Sequence, residues 1–232
     1  MEIRRETSEQ GVLTLTMDDG NKNALTPEAF EELIAALDEE VDAKAVVLAG
    51  RPGILTAGLD LKWLSAHGVE GLYVILPAFG RAAMRLWTDP RPTVCAATGH
   101  AIAGGTILAM ACDHAVAAAG HWWGLTETQI DFQIPDFALA LARHNLPANR
   151  LEDLLLPGER LDAADAVEAG FADEIATPDQ VLARAQERAA VLAELPARAY
   201  AGTKHRLRGA DAEAVLAGLE ADIDLLAGGR RG

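Results

Sequence analysis

The chain has 232 residues, half of them apolar, which is enough for one large α/β domain or two small ones with a buried core. A formal net charge of −15 sets the long-range field against phosphates and excludes broad nucleic-acid binding. Cys95 and Cys112 stand in apolar surroundings without a CxxC pair, which fits a reducing cytoplasm and excludes a disulfide framework.

The N-terminal Met-Glu-Ile-Arg-Arg has no apolar run behind it, so no signal peptide is expected. Gly11 to Met17 alternates as a strand, and Asp18 to Asn21 form a turn. Thr26 and Pro27 mark a helix start, as N-cap and first helical residue. Phe30, Leu33, Ile34 and Leu37 recur at helical spacing through Glu40. Ala45 to Ala49 reads as a short buried strand, ended by Gly50 and a turn at Arg51-Pro52-Gly53. A helix is predicted from about Val69 to Trp87, broken by Pro90 and Pro92.

Thr93 to Ala97 is a second buried strand, Gly99 to Gly105 a glycine-bearing turn, and Thr106 to Cys112 a helix. The stretch Val94–Cys112 carries no formal charge, but its Gly and Ala content, with Thr98 and His100, argues for a buried strand-turn-helix rather than a membrane span. His114 to Ala118 is strand-like. From Pro135 onward the pattern is helical, in segments 137–144, 148–155, 163–169, 178–195 and 210–226. The plan is one α/β core over residues 1–175 and a helical region over 176–232.

Gly99 to Thr106 reads G-x-x-x-x-G-G-T, but Gly105 stands where a P-loop needs its lysine. The six histidines show no HExxH or paired spacing, so no metal is expected. Neither Ser8 nor Ser65 lies in G-x-S-x-G, so a nucleophile elbow is absent. A strand running through Gly104-Gly105 into a helix leaves N–H groups suited to a developing oxyanion; the same turn also serves simply to pack a helix on a sheet. The turn around Ala57-Gly58-Leu59 offers a second donor at Leu59, or an ordinary loop with Asp60 as N-cap.

These two turns, in this order and at this separation, resemble the crotonase (enoyl-CoA hydratase/isomerase) superfamily. The carrying segments are Leu55–Leu61, Gly99–Asp113, Asn23-Ala24-Leu25 and Ala163–Gly170. The resemblance implies an α/β fold, a spiral of ββα turns with a helical C-terminal trimerisation part, and a homotrimer or dimer of trimers. It implies an acyl-coenzyme A thioester as ligand, with no separate cofactor and no membrane partner. Leu59 and Gly104 would supply the oxyanion N–H groups.

Hydratases of the family carry one Glu inside the second-loop helix and another on the following segment. Ile107 occupies the first position and Glu127 the second. Gly124-Leu125-Thr126-Glu127-Thr128-Gln129 closely resembles the mitochondrial Δ3,Δ2-enoyl-CoA isomerases. Glu127 is thus the expected catalytic base, with Lys22, Ala24, Ala57, Leu61, Ile107 and Asp136 around the substrate. Asp131 replaces the usual Gly four places after this Glu; enoyl-CoA hydration or acyl-CoA hydrolysis using Asp131 or Asp136 is the alternative to isomerisation, and Asp136 otherwise caps a helix. Lys22, Lys62 and the cluster Lys204, His205, Arg206 and Arg208 are candidate phosphate contacts or solvated surface charges. A catalytically silent trimer that binds acyl-CoA is the remaining reading.

Overall fold

A parallel strand covered on both faces needs an apolar side chain at nearly every position. The strands β3 (Ala45–Ala49), β5 (Thr93–Ala97) and β7 (His114–Ala118) are built this way. In the computed structural model, which describes residues 1–228, they form the middle of a six-stranded sheet. Its order is β1 (Glu2–Thr7), β2 (Val12–Asp18), β3, β5, β7 and β9 (Glu174–Ala176). β1 and β2 are antiparallel, and the other neighbours are parallel. Side chains alternate between faces. Leu13, Leu15, Val46, Leu48, Cys95 and Ala97 enter the main core. Val12, Val47, Ala49, Val94, Ala96 and Val116 face the other way, against Val181, Ala185 and Ala189 of α7 (Val181–Ala193).

A second, parallel sheet holds β4 (Gly53–Thr56), β6 (Gly99–Ile102) and β8 (Trp123–Gly124), in that order. Each directly follows a strand of the large sheet: β4 follows β3, β6 follows β5, and β8 follows β7. A helix then ends each turn: α2 (Leu61–Trp87), α3 (Gly104–Met110) and α4 (Asp136–Asn145). This repeated strand-strand-helix unit is the ββα spiral that the resemblance implies. Thr26 caps α1 (Pro27–Glu39), which packs on α2 and β1.

The structure departs from the sequence reading in four places. The turn at Arg51–Gly53 runs directly into β4, and the one at Gly99–Gly105 contains β6, both strands of the second sheet. The helix predicted from Val69 is the second limb of α2, which starts at Leu61 and kinks at Gly68. After α5 (Leu151–Leu155) and α6 (Ala163–Ala169), β9 crosses the expected 175/176 boundary and extends the sheet. The last segment is one 30-residue helix, α8 (Ala197–Leu226), packed on α2 and α4. Leu219 and Ile223, expected on an exposed face, are therefore internal, at 6% and 1% exposure. No helix among the described residues is long and apolar enough to cross a membrane.

Candidate active site

The C-terminal ends of β4, β6 and β8 lie side by side, and each leads into a segment that delivers one group to a common cavity. After β4, the Thr56 hydroxyl donates to the Asn23 carbonyl and accepts from the Gly58 N–H, which tightens the turn. Leu25 N–H donates to Gly58 O, and Asp60 N–H donates to Leu25 O, both at 2.9 Å. The buried Asn23 amide donates to Met17 O and Leu55 O, so the Asn23–Leu25 segment anchors this turn. Asp60 caps α2 by accepting from the Lys62 and Trp63 N–H groups.

After β6, Ala103 takes φ 50° and ψ −111°, a strained conformation for a residue with a Cβ. Gly104 follows as the first residue of α3. A Cβ on Gly58 would lie 3.3 Å from Gly104 N, and one on Gly104 would lie 3.1 Å from Gly58 Cα. The two turns touch this closely because both are glycine. The N–H groups of Leu59 and Gly104 find no acceptor among the described residues.

After β8, the Thr106 hydroxyl of α3 accepts from Gly124 N–H at 3.0 Å and donates to Ala101 O at 2.7 Å. This ties α3 to the segment carrying Glu127, which opens a 3-10 turn over Glu127–Ile130. Phe132 N–H closes the turn on Glu127 O at 3.1 Å. Asp131 sits between them in the left-handed region, φ 58° and ψ 36°. That conformation accounts for glycine at the matching family position, and Asp is among the residues that tolerate it best. The Asp131 side chain is exposed.

The cavity is small, about 210 Å³, with walls that include Leu59, Leu64, Phe79, Ile107 and Phe132. Glu127 is 7% exposed, and its Oε2 has no hydrogen-bond partner. Burial pushes its carboxyl up to about 7. A group poised there exchanges protons readily near neutral pH.

Of the residues singled out in the sequence, Ala57, Leu59, Leu61, Gly104, Ile107 and Glu127 line this cavity. Lys22, Ala24 and Asp136 do not. Lys22 is exposed, and its carbonyl accepts from Ala57 N–H at 3.0 Å. Ala24 N–H donates to the Asp19 carboxylate. Asp136 is exposed with its N–H on the Asp222 carboxylate, and Pro135 forms the wall instead.

The basic cluster is also reassigned. Lys204 Nζ and Arg208 Nη1 each lie 2.6 Å from an Asp113 carboxylate oxygen, and Tyr200 OH donates to the same group. These cations neutralise a buried aspartate, as internal charges require; only His205 and Arg206 of the four remain exposed. A larger cavity, about 450 Å³, lies beside them, but its charges already pair with one another. Sequence reasoning missed Thr126 and Arg160 in the Glu127 cavity. Arg160 carries no local signal, because it arrives through the pairing of Leu161 with Trp123.

The model of the enoyl-CoA hydratase/isomerase family matches residues 7–228. A putative enoyl-CoA hydratase of Thermus thermophilus is 37% identical over 183 residues, 76% of this chain and 70% of that one. The apo structure of an enoyl-CoA isomerase from Mycobacterium tuberculosis matches with TM-score 0.87 at 34% identity, over 97% of both chains. Human mitochondrial Δ3,Δ2-enoyl-CoA isomerase matches with TM-score 0.93 at 25% identity, over 98% of this chain and 91% of that one. These relatives are named for two reactions and share one fold, and this chain belongs to their family, the enoyl-CoA hydratase/isomerases of the crotonase superfamily.

Proposed function

We propose that the protein isomerises enoyl-CoA thioesters, moving a β,γ double bond into conjugation with the carbonyl. The observation that carries this reading is the isolation of Glu127. Among the described residues it is the one carboxylate lining a cavity whose other walls, Ile107 among them, are largely apolar. Glu127 takes a proton from the α carbon, and the charge passes into the thioester oxygen as a dienolate. The Leu59 and Gly104 N–H groups, without protein acceptors, stabilise that oxygen. The Glu127 carboxylic acid then returns the proton at the γ carbon. The proton balance closes on one residue, no water is consumed, and coenzyme A enters only as part of the substrate.

Hydration is the competing reaction. It needs a group to orient and deprotonate water, commonly beside a second that handles the other proton. Ile107 supplies no such group, and Asp131 and Asp136 lie outside the cavity walls.

The test is turnover of 3-hexenoyl-CoA against hydration of crotonyl-CoA. Wild type should isomerise far faster than it hydrates. Glu127→Gln should lower isomerisation by about a hundredfold or more, the usual contribution of a general base, while still binding acyl-CoA. Efficient hydration by wild type, or full isomerase activity in Glu127→Gln, would sink the assignment.

A further inference from the structure

The second sheet orders the site along one line. β4, β6 and β8 lie side by side, so Leu59, Gly104 and Glu127 follow one another across the cavity. The Asn23–Leu25 segment packs outside the β4 end, through its bonds to Gly58 and Asp60. At the opposite end, beyond β8, lies the segment 159–161. Leu161 exchanges both backbone hydrogen bonds with Trp123 at 2.9 Å. A Cβ on Gly124 would come within 2.5 Å of Glu159 O, so this segment is pressed closely on β8.

Arg160 lies between these two contacts and lines the cavity. It is the cavity's only basic residue, and its exposed side chain stands at the rim. No ion pair or hydrogen bond occupies its guanidinium among the described residues. The half-buried Arg85, Arg91 and Arg208, by contrast, all hold carboxylates. Arg160 acts on His100 of β6, behind burial and His121.

A thioester oxygen between Leu59 and Gly104 places the α and γ carbons by Glu127. An acyl chain that continues across the cavity in the same direction reaches Arg160 beyond β8. We propose that Arg160 is a specificity residue that receives a carboxylate at the far end of a short acyl chain, so that the preferred substrates are monothioesters of unsaturated dicarboxylic acids. A guanidinium binds a carboxylate through two parallel N–H bonds. The cavity of about 210 Å³ is smaller than a typical drug-sized ligand site, which begins near roughly 300 Å³, and suits a short acyl group. This rests on the reading of Glu127 as the base, because that reading fixes the direction of the acyl chain.

The test separates the two ideas by using saturated thioesters, on which no double bond can move. Calorimetry on the full chain compares adipoyl-CoA, hexanoyl-CoA and free coenzyme A. Wild type should bind adipoyl-CoA about tenfold or more tightly over hexanoyl-CoA, the range for a charge-assisted hydrogen bond. Arg160→Leu should erase this preference and leave the affinity for free coenzyme A unchanged, and Arg160→Lys should keep part of it. No preference in wild type overturns the proposal. So does an equal weakening of all three ligands in Arg160→Leu, which would assign the guanidinium to a coenzyme A phosphate. If the adipoyl preference stands while 3-hexenedioyl-CoA is not isomerised, the Arg160 assignment holds and the isomerase reading fails.

Discussion

Glu127 holds a carboxyl where water cannot solvate its charge, and both activity and stability should show it. With its carboxyl near 7, the base is ionised only above neutrality, so kcat/KM for isomerisation should rise with pH and level off above about 7. The same shift sets the sign of a stability effect. The folded carboxyl binds its proton more tightly than the unfolded one, so the fold is favoured at low pH and loses stability as pH rises through about 7. Above that the ionised group costs on the order of 3 kcal/mol, and at pH 5 under about 1 kcal/mol. Glu127→Gln should therefore raise Tm at pH 8 and change it little at pH 5. An equal Tm difference at both pH values would show that burial does not govern this group. The residue was singled out only through the motif around it; from composition alone a glutamate is a surface charge. Asp131 shows the reverse case, a departure from the motif that looked chemical and proves to be a matter of backbone conformation.

The site depends on three strand ends being held in register, and the tightest join is between the turns after β4 and β6. Gly58 has φ +89°, and its missing Cβ leaves room for Ala103 Cβ and Gly104 N at 3.3 Å. Gly58→Ala should cost about 1–3 kcal/mol for the backbone alone. It should also force the turns apart and crowd the Gly104 N–H, lowering isomerisation by about a hundredfold, as loss of one oxyanion donor does. Gly120→Ala is the control. It has φ +75° with nothing within 4 Å of the added Cβ, so it should lose stability and keep activity. Equal activity loss in both would attribute the effect to general destabilisation. The strands β3, β5 and β7 were legible because both their faces are buried. β1 was not, because Glu2-Ile3-Arg4-Arg5-Glu6-Thr7 is an edge strand with only Ile3 buried. β4 and β6 are four residues each, inside segments whose Gly and Pro signal turns, and only pairing with each other makes them strands.

At the scale of the whole molecule, the net charge of −15 opposes self-association, so any assembly must be driven by apolar contact. Of the apolar α8 residues Val215, Leu216, Leu219, Ile223 and Leu226, Leu219 and Ile223 pack inside the chain against α2 and α4, while Leu216 stays 43% exposed. Leu156 is 68% exposed and lines an apolar groove of about 460 Å³ with Ile134, Leu139, Leu151 and Leu155. Groups of this size left in water usually mark an interface. Ile130, 59% exposed, lines the Glu127 cavity, so a copy that also covered Ile130 would complete a wall of the site. Light scattering should give a mass of three or six times 24.5 kDa at micromolar concentration, and added salt should strengthen the assembly by screening the acidic surfaces. Leu156→Glu, exposed and outside the cavity walls, should shift the mass toward one chain and reduce turnover while circular dichroism stays native. A wild-type monomer at both low and high salt would remove the assembly. A monomeric Leu156→Glu with full turnover would show that the cavity is complete within a single chain.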